Sequence, residues 1–168
     1  GGLSMVTVGS AMFFAEISGS AVADVAALGT LLIPAMKSRG YSKEFAAAVT
    51  SSSASLAIII PPSIPMILYA AMAQESAVKI FVAGIIPGII GGIGLMALCY
   101  YYAWKYNFPV EQRFNLCRLA QATREAAWAL AMPVIILGGI FGGFVTATEG
   151  AALAVLAALL IGVVIYRD

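Results

Sequence analysis

Three prolines in five residues, Pro61, Pro62 and Pro65, sit inside an apolar run that extends from residue 45 to residue 73. Each removes a backbone amide donor and crowds the preceding turn, so no continuous helix can pass through "PPSIP". Carbonyls just before the break lose their helical partners. Water would take them in a soluble protein, but in a bilayer each unsatisfied group costs several kcal/mol. Composition decides which solvent applies. Hydrophobic residues make up 62% of the 168 and charged residues 10%, too few polar groups to cover a water-soluble domain. The expected fold class is an all-α membrane protein with a proline-broken transmembrane helix. A bound cation, serine hydroxyls or water would satisfy the freed carbonyls.

Five apolar segments cover 3–36, 45–73, 84–104, 128–146 and 150–166. The connections are "KSRGYSKE" (37–44), "AQESAVK" (73–79), a long polar stretch at 105–127 and the tight "TATE" (146–149). Putting 37–44 and 105–127 in the cytoplasm gathers Lys37, Arg39, Lys43, Lys105, Arg113, Arg118, Arg124 and Arg167 on one side and leaves Lys79 on the other. That asymmetry follows the positive-inside rule. The chain begins at Gly1 and stops just after an apolar run, and it is expected to be an internal piece of a longer multi-pass protein.

Segment 3–36 is too long for one ordinary span: as a continuous helix it would run roughly 50 Å against a hydrocarbon core of about 30 Å. Its midpoint reads "EISGS" (16–20). Breaking there makes a re-entrant hairpin of two half-helices that enters and leaves from the cytoplasm; a single tilted span kinked at Gly19 is the alternative. Ser20 can cap the second half-helix, and Asp24 in its first turn suits the dipole. Glu16 falls at the C-terminal end of the first half-helix, where the dipole opposes an anion. It must be protonated, paired, or close to a cation or water, and an intramembrane carboxylate is a functional suspect.

Thr50, Ser51, Ser52, Ser53 and Ser55 place five hydroxyls in six residues before the proline break. Most are expected to bond between helices or back to their own helix, with a polar lining as the remaining role. Gly84, Gly88 and Gly92, and likewise Gly138 with Gly142 and Gly139 with Gly143, have the spacing that lets membrane helices approach closely. Tyr100, Tyr101, Tyr102 and Trp104 form an interfacial aromatic belt. Residues 109–127 mix Arg and Glu with Phe114, Leu116 and Leu119, as in a helix lying at the interface. Thr146 and Glu149 match a capping box.

The net charge of +1 offers no basic patch for nucleic acid. There is no histidine, and the two cysteines suggest neither a disulfide framework nor a metal cluster. Without a nucleophile–base pair, phosphate loop or facing carboxylates, the chain is not expected to be an enzyme. A re-entrant tip meeting a broken helix is a device of secondary transporters, in which half-helix ends and unwound carbonyls hold a small cation or anionic substrate.

The stretch "ISGSAVADVAALGTLLIPAMKSRGYSKEFAAAVTSSSASLAIIIPPSIPMILYA", with "AGIIPGI" and "FVTATEGAALAV" downstream, closely resembles the large membrane subunit of tripartite ATP-independent periplasmic (TRAP) transporters. The "IPPSIP" form is more similar to the DctM-like, dicarboxylate-type branch. The resemblance implies an elevator-type, sodium-coupled importer of an organic acid in the bacterial inner membrane. A small membrane subunit and a periplasmic binding protein would be its partners. Residues 1–104 would belong to the moving domain: hairpin 3–36, broken helix 45–73 and helix 84–104. Residues 105–168 would be an interfacial helix and the start of a second, inverted repeat on the scaffold side, with the other hairpin and broken helix beyond Asp168. The resemblance places sodium on Ser18, Ser20, Ala57, Ile60 and Pro62, partly through backbone carbonyls. Glu16, Gly19, Ser52, Ser53 and Ser63 are candidates for the substrate side. Similar sequences often have Gly at position 57 and a small neutral residue at position 16. A channel-like or structural subunit without active transport is the competing expectation.

Overall fold

The computed structural model describes residues 2–106, 108 and 116–166. Among these every regular element is helical. The chain divides into two compact units, residues 1–112 and 113–168. Arg113, Phe114 and Arg167, used in the charge and interface arguments above, lie outside the described residues.

In the first unit, α1 (Gly2–Ser18) and α2 (Ala21–Ser38) are separated by Gly19 and Ser20 alone. Gly19 adopts a left-handed φ of +58°, and its amide still bonds to Ala15 O at 2.9 Å. The chain then reverses. The Thr7 hydroxyl near the start of α1 meets Met36 Sδ near the end of α2 at 3.6 Å, so the two helices run antiparallel. Helix α3 (Lys43–Ala54), capped by Ser42, passes into a tighter 3-10 turn at Ser55–Ile58. The proline break follows, with a cis Pro61–Pro62 bond, and α4 (Ile64–Ala73) resumes the direction. Helix α5 (Ala77–Lys105) returns to the base. It begins at Ala77 rather than Gly84, because nothing in "AVKIFVA" interrupts a helix and Lys79 is exposed beside Glu75.

Heights agree across this unit. Helices α1 and α2, of 17 and 18 residues, rise roughly 26 Å. Lys43 to Ile58 covers a similar height, so the hairpin tip and the proline break meet at one level. Helix α4 adds ten residues beyond it, about 15 Å more. At the base, Met36, Tyr41 and Ala46 form a buried cluster with Leu3, Ile33, Phe45 and Phe108 packed on it. The Tyr41 and Phe108 ring centroids lie 4.4 Å apart, and those of Phe45 and Tyr102 lie 5.6 Å apart.

Helix α5 packs through its glycines. A Cβ on Gly92 would lie 2.3 Å from Met12 Sδ, on Gly88 2.9 Å from Ile60 Cγ1, and on Gly84 2.5 Å from Ile59 O. The stripe at 84, 88 and 92 is thus a close-approach surface for α1 and the broken helix.

The second unit holds α6 (Leu116–Glu125), α7 (Ala127–Phe141) and α8 (Ala147–Leu160), with a wider π turn at Ile161–Tyr166. The capping box is present: Thr146 Oγ1 accepts from Glu149 N, and Thr146 N donates to Glu149 Oε2 at 2.7 Å. The paired glycine spacing expected to serve helix packing at 138–143 does something else. Gly142 and Gly143 lie past the end of α7 in its turn, Gly143 at φ +72°, and a Cβ on Gly138 would meet open space. Close approach of α7 and α8 comes instead from Gly150, set against Ile136 and Ile140.

Candidate functional site: the hairpin tip against the proline break

Proline chemistry determines which carbonyls are released at the break. The helical donor to Ala57 O would be the amide of residue 61, to Ile58 O that of residue 62, and to Pro61 O that of residue 65. All three are prolines and have none. Ile58 O is recovered locally, since the buried Ser63 hydroxyl donates to it at 2.8 Å. The amide that would serve Ile60 O belongs to Ile64, which donates to Gly19 O across the interface at 3.4 Å. Ala57, Ile60 and Pro61 thus lose their ordinary helical partners.

The tip supplies the opposite wall. A Cβ on Gly19 would lie 3.0 Å from Pro62 O and 3.4 Å from Ser63 Cα, so only glycine fits there. Gly19→Ala will combine that contact with a left-handed backbone costing about 1–2 kcal/mol. It should lower the thermal unfolding temperature of the detergent-purified protein more than Gly40→Ala, whose φ is also positive but whose surroundings are open; equal losses would mean that the contact with the break is immaterial.

Ser18 and Ser20 flank Gly19. The Ser20 amide donates to Ser18 Oγ at 3.1 Å, and Ser20 Oγ caps α2 by accepting from Ala23 N at 3.5 Å. The Ser18 hydroxyl donates to Asp24 Oδ1. Asp24 is completely buried, and its Oδ2 has no hydrogen-bond partner among the described residues. Asp24 faces the tip. The signal is in the sequence: Asp24 lies as deep in an apolar run as Glu16.

The candidate residues separate into two places. Gly19 and Ser20 line a cavity of about 250 Å³ with Ala21, Val22, Ile58, Ile64 and Pro65. Ala57 and Ile60 put their side chains into a core cluster with Ala15 and Leu56, so any polar role there belongs to their carbonyls. Ser52 and Ser53 line a different cavity, between α1, α3 and α5. Thr50, Ser51, Ser53 and Ser55 bond back to carbonyls of their own helix. Glu16 is half-buried below the tip and does not line the tip cavity.

Comparison with known proteins follows the whole chain. The family model described as "Tripartite ATP-independent periplasmic transporter, DctM component" matches residues 1–168. The isethionate TRAP transporter permease protein DctMQ of Oleidesulfovibrio alaskensis is 48% identical over all of this chain and 27% of its own length. The C4-dicarboxylate TRAP transporter large permease protein DctM of Vibrio cholerae is 42% identical over all of this chain and 37% of its own. The 2,3-diketo-L-gulonate TRAP transporter large permease protein YiaN of Escherichia coli is 42% identical, again over all of this chain and 40% of its own. The chain therefore spans well under half the length of these relatives.

Proposed function

The chain belongs to the DctM component family of the tripartite ATP-independent periplasmic transporters, and from that premise we propose that it forms part of the large permease subunit of a sodium-coupled importer of an organic acid. The observation that carries this reading is the meeting of two helix interruptions, Gly19 against Pro62, beside a buried carboxylate with an open oxygen. Sodium, as coupling cargo, takes oxygen donors. Ser18, Ser20 and the carbonyls of Ala57, Ile60 and Pro62 supply them, with Asp24 providing charge behind Ser18.

The hairpin is re-entrant on this reading. Its tip stops about 15 Å short of the far end of α4, which suits a segment that turns back inside the bilayer, and the polar backbone at that depth is covered by the broken helix. The tip cavity lies at the N-termini of α2 and α4, whose positive dipole ends favour an anion. The compounds in the relatives' names, isethionate, C4-dicarboxylate and 2,3-diketo-L-gulonate, support a carboxylate or sulfonate. The first unit would carry ion and anion by rigid-body movement against a scaffold, in the bacterial inner membrane, with 37–44 and 105–127 cytoplasmic. A small membrane subunit and a periplasmic binding protein complete the assembly; the name DctMQ, of a longer relative, supports the first of these.

In proteoliposomes holding the full-length permease and its partners, Ser18→Ala and Ser20→Ala will each raise the sodium concentration for half-maximal uptake by roughly tenfold, the effect of one lost oxygen donor. Wild-type sodium dependence in both variants would overturn the assigned site. Counterflow exchange of labelled substrate tests the carrier itself, since a pore conducts without exchange.

A further inference from the structure

The carbonyls around the break do not share one fate. Ile59 O faces α5, 2.5 Å from where a Cβ on Gly84 would lie. Ile58 O accepts from the Ser63 hydroxyl at 2.8 Å. Pro62 O faces the tip, 3.0 Å from where a Cβ on Gly19 would lie. Ala57 and Ile60, on either side of the two diverted carbonyls, are the ones assigned with Pro62 to sodium. Ser63 is 1% exposed. It is the N-cap residue of α4, with extended φ and ψ of −131° and 135°, yet its side chain makes no capping bond. A capping serine accepts from the second or third amide of its helix, as Ser20 and Ser42 do from Ala23 and Phe45. The second residue of α4 is Pro65, which has no amide to offer. The Ser63 hydroxyl turns back instead to the carbonyl that Pro62 cannot serve. Ser63 also stays out of the tip cavity, although its neighbours Ile64 and Pro65 line it.

We infer that Ser63 is a positioning residue for the sodium site: by standing in for the missing Pro62 amide, its hydroxyl holds residues 57–62 in the arrangement that presents the Ala57, Ile60 and Pro62 carbonyls to the tip. This rests on the sodium reading proposed above, and it gives Ser63 no contact with ion or substrate. A buried carbonyl left without its donor is costly, so without the hydroxyl the break relaxes until Ile58 O finds another donor. Sodium must then bind a segment that is only fractionally in its competent arrangement, and its apparent affinity falls by that fraction.

The test is a sodium titration of the unfolding temperature of the detergent-purified full-length permease, without substrate and with choline keeping ionic strength constant. Ser63→Ala will move the midpoint about tenfold to higher sodium. Ser63→Thr, which keeps the hydroxyl, will restore the wild-type midpoint. Thr50→Val is the structural control: it removes a buried hydroxyl bond of 2.9 Å to Ala46 O within α3, and it will leave the midpoint in place whatever it does to stability. At saturating sodium, Ser63→Ala will take up substrate with the wild-type half-saturating concentration. A wild-type sodium midpoint in Ser63→Ala would overturn the inference, as would an equal shift in Thr50→Val or no restoration by threonine. An unmoved midpoint with weakened substrate would put Ser63 in contact with substrate instead. A wild type whose unfolding temperature ignores sodium would overturn the sodium reading and this inference together, whereas a responsive wild type with an unaffected Ser63→Ala overturns the inference alone.

Discussion

Gly84→Val will prevent the first unit from closing around its broken helix. A Cβ at this position would lie 2.3 Å from Met66 Cε and 2.5 Å from Ile59 O. Met66 is a flexible side chain and can swing away. Ile59 O is backbone, two residues before Pro61, in a segment already held by Leu56 O, which accepts from Ile59 N and Ile60 N. Moving it means moving the break away from Gly19. Overpacking of a tight contact costs about 1–3 kcal/mol, and a branched side chain against backbone belongs at or above the top of that range. Gly92→Ala is the matched control, because its clash is with the side chain of Met12 alone. Thermal unfolding of the detergent-purified protein should show a loss for Gly84→Val several times that for Gly92→Ala, together with loss of uptake. Equal losses would mean that α5 does not position the break.

If sodium drives uptake as proposed, Asp24→Asn will raise the sodium concentration that uptake requires while leaving the fold intact. Asparagine keeps the shape of the side chain and an oxygen to accept from Ser18, and it removes the charge. A buried carboxylate with one free oxygen is either protonated or held beside a cation or a further donor. Hydrogen bonds and contacts to a charged group contribute about 1.5–3 kcal/mol, which predicts a rise of roughly tenfold to a hundredfold in the sodium concentration for half-maximal uptake. Added sodium should raise the unfolding temperature of the wild type and not that of Asp24→Asn. If sodium stabilises both proteins equally, Asp24 does not face the ion and its burial serves the hairpin alone.

What could be read from the linear chain has a clear physical boundary. Pro61, Pro62 and Pro65 announce a helix break by missing amides, and Gly19 between two serines announces a turn; both act within a few residues, so both were legible. The capping box of Thr146 and Glu149 is legible for the same reason. The glycine spacing at 84, 88 and 92 serves close packing, yet the same spacing at 138–143 does not. Small side chains permit close packing but do not require it, and Gly142 and Gly143 close a turn instead. Asp24 stands in the first turn of α2 as expected, but that position does not disclose its burial or its bond from Ser18.

Alone, the sequence determined that this chain is helical, suited to a bilayer, and interrupted at residues 19 and 61–65, since solvation and amide chemistry are properties of each segment. Only the tertiary structure decided that the two interruptions meet, that Asp24 turns inward under Ser18, and that Ser52 and Ser53 line a separate slot at the base. Those facts depend on how far each helix rises and which face it turns to its neighbours, and no single segment carries that information.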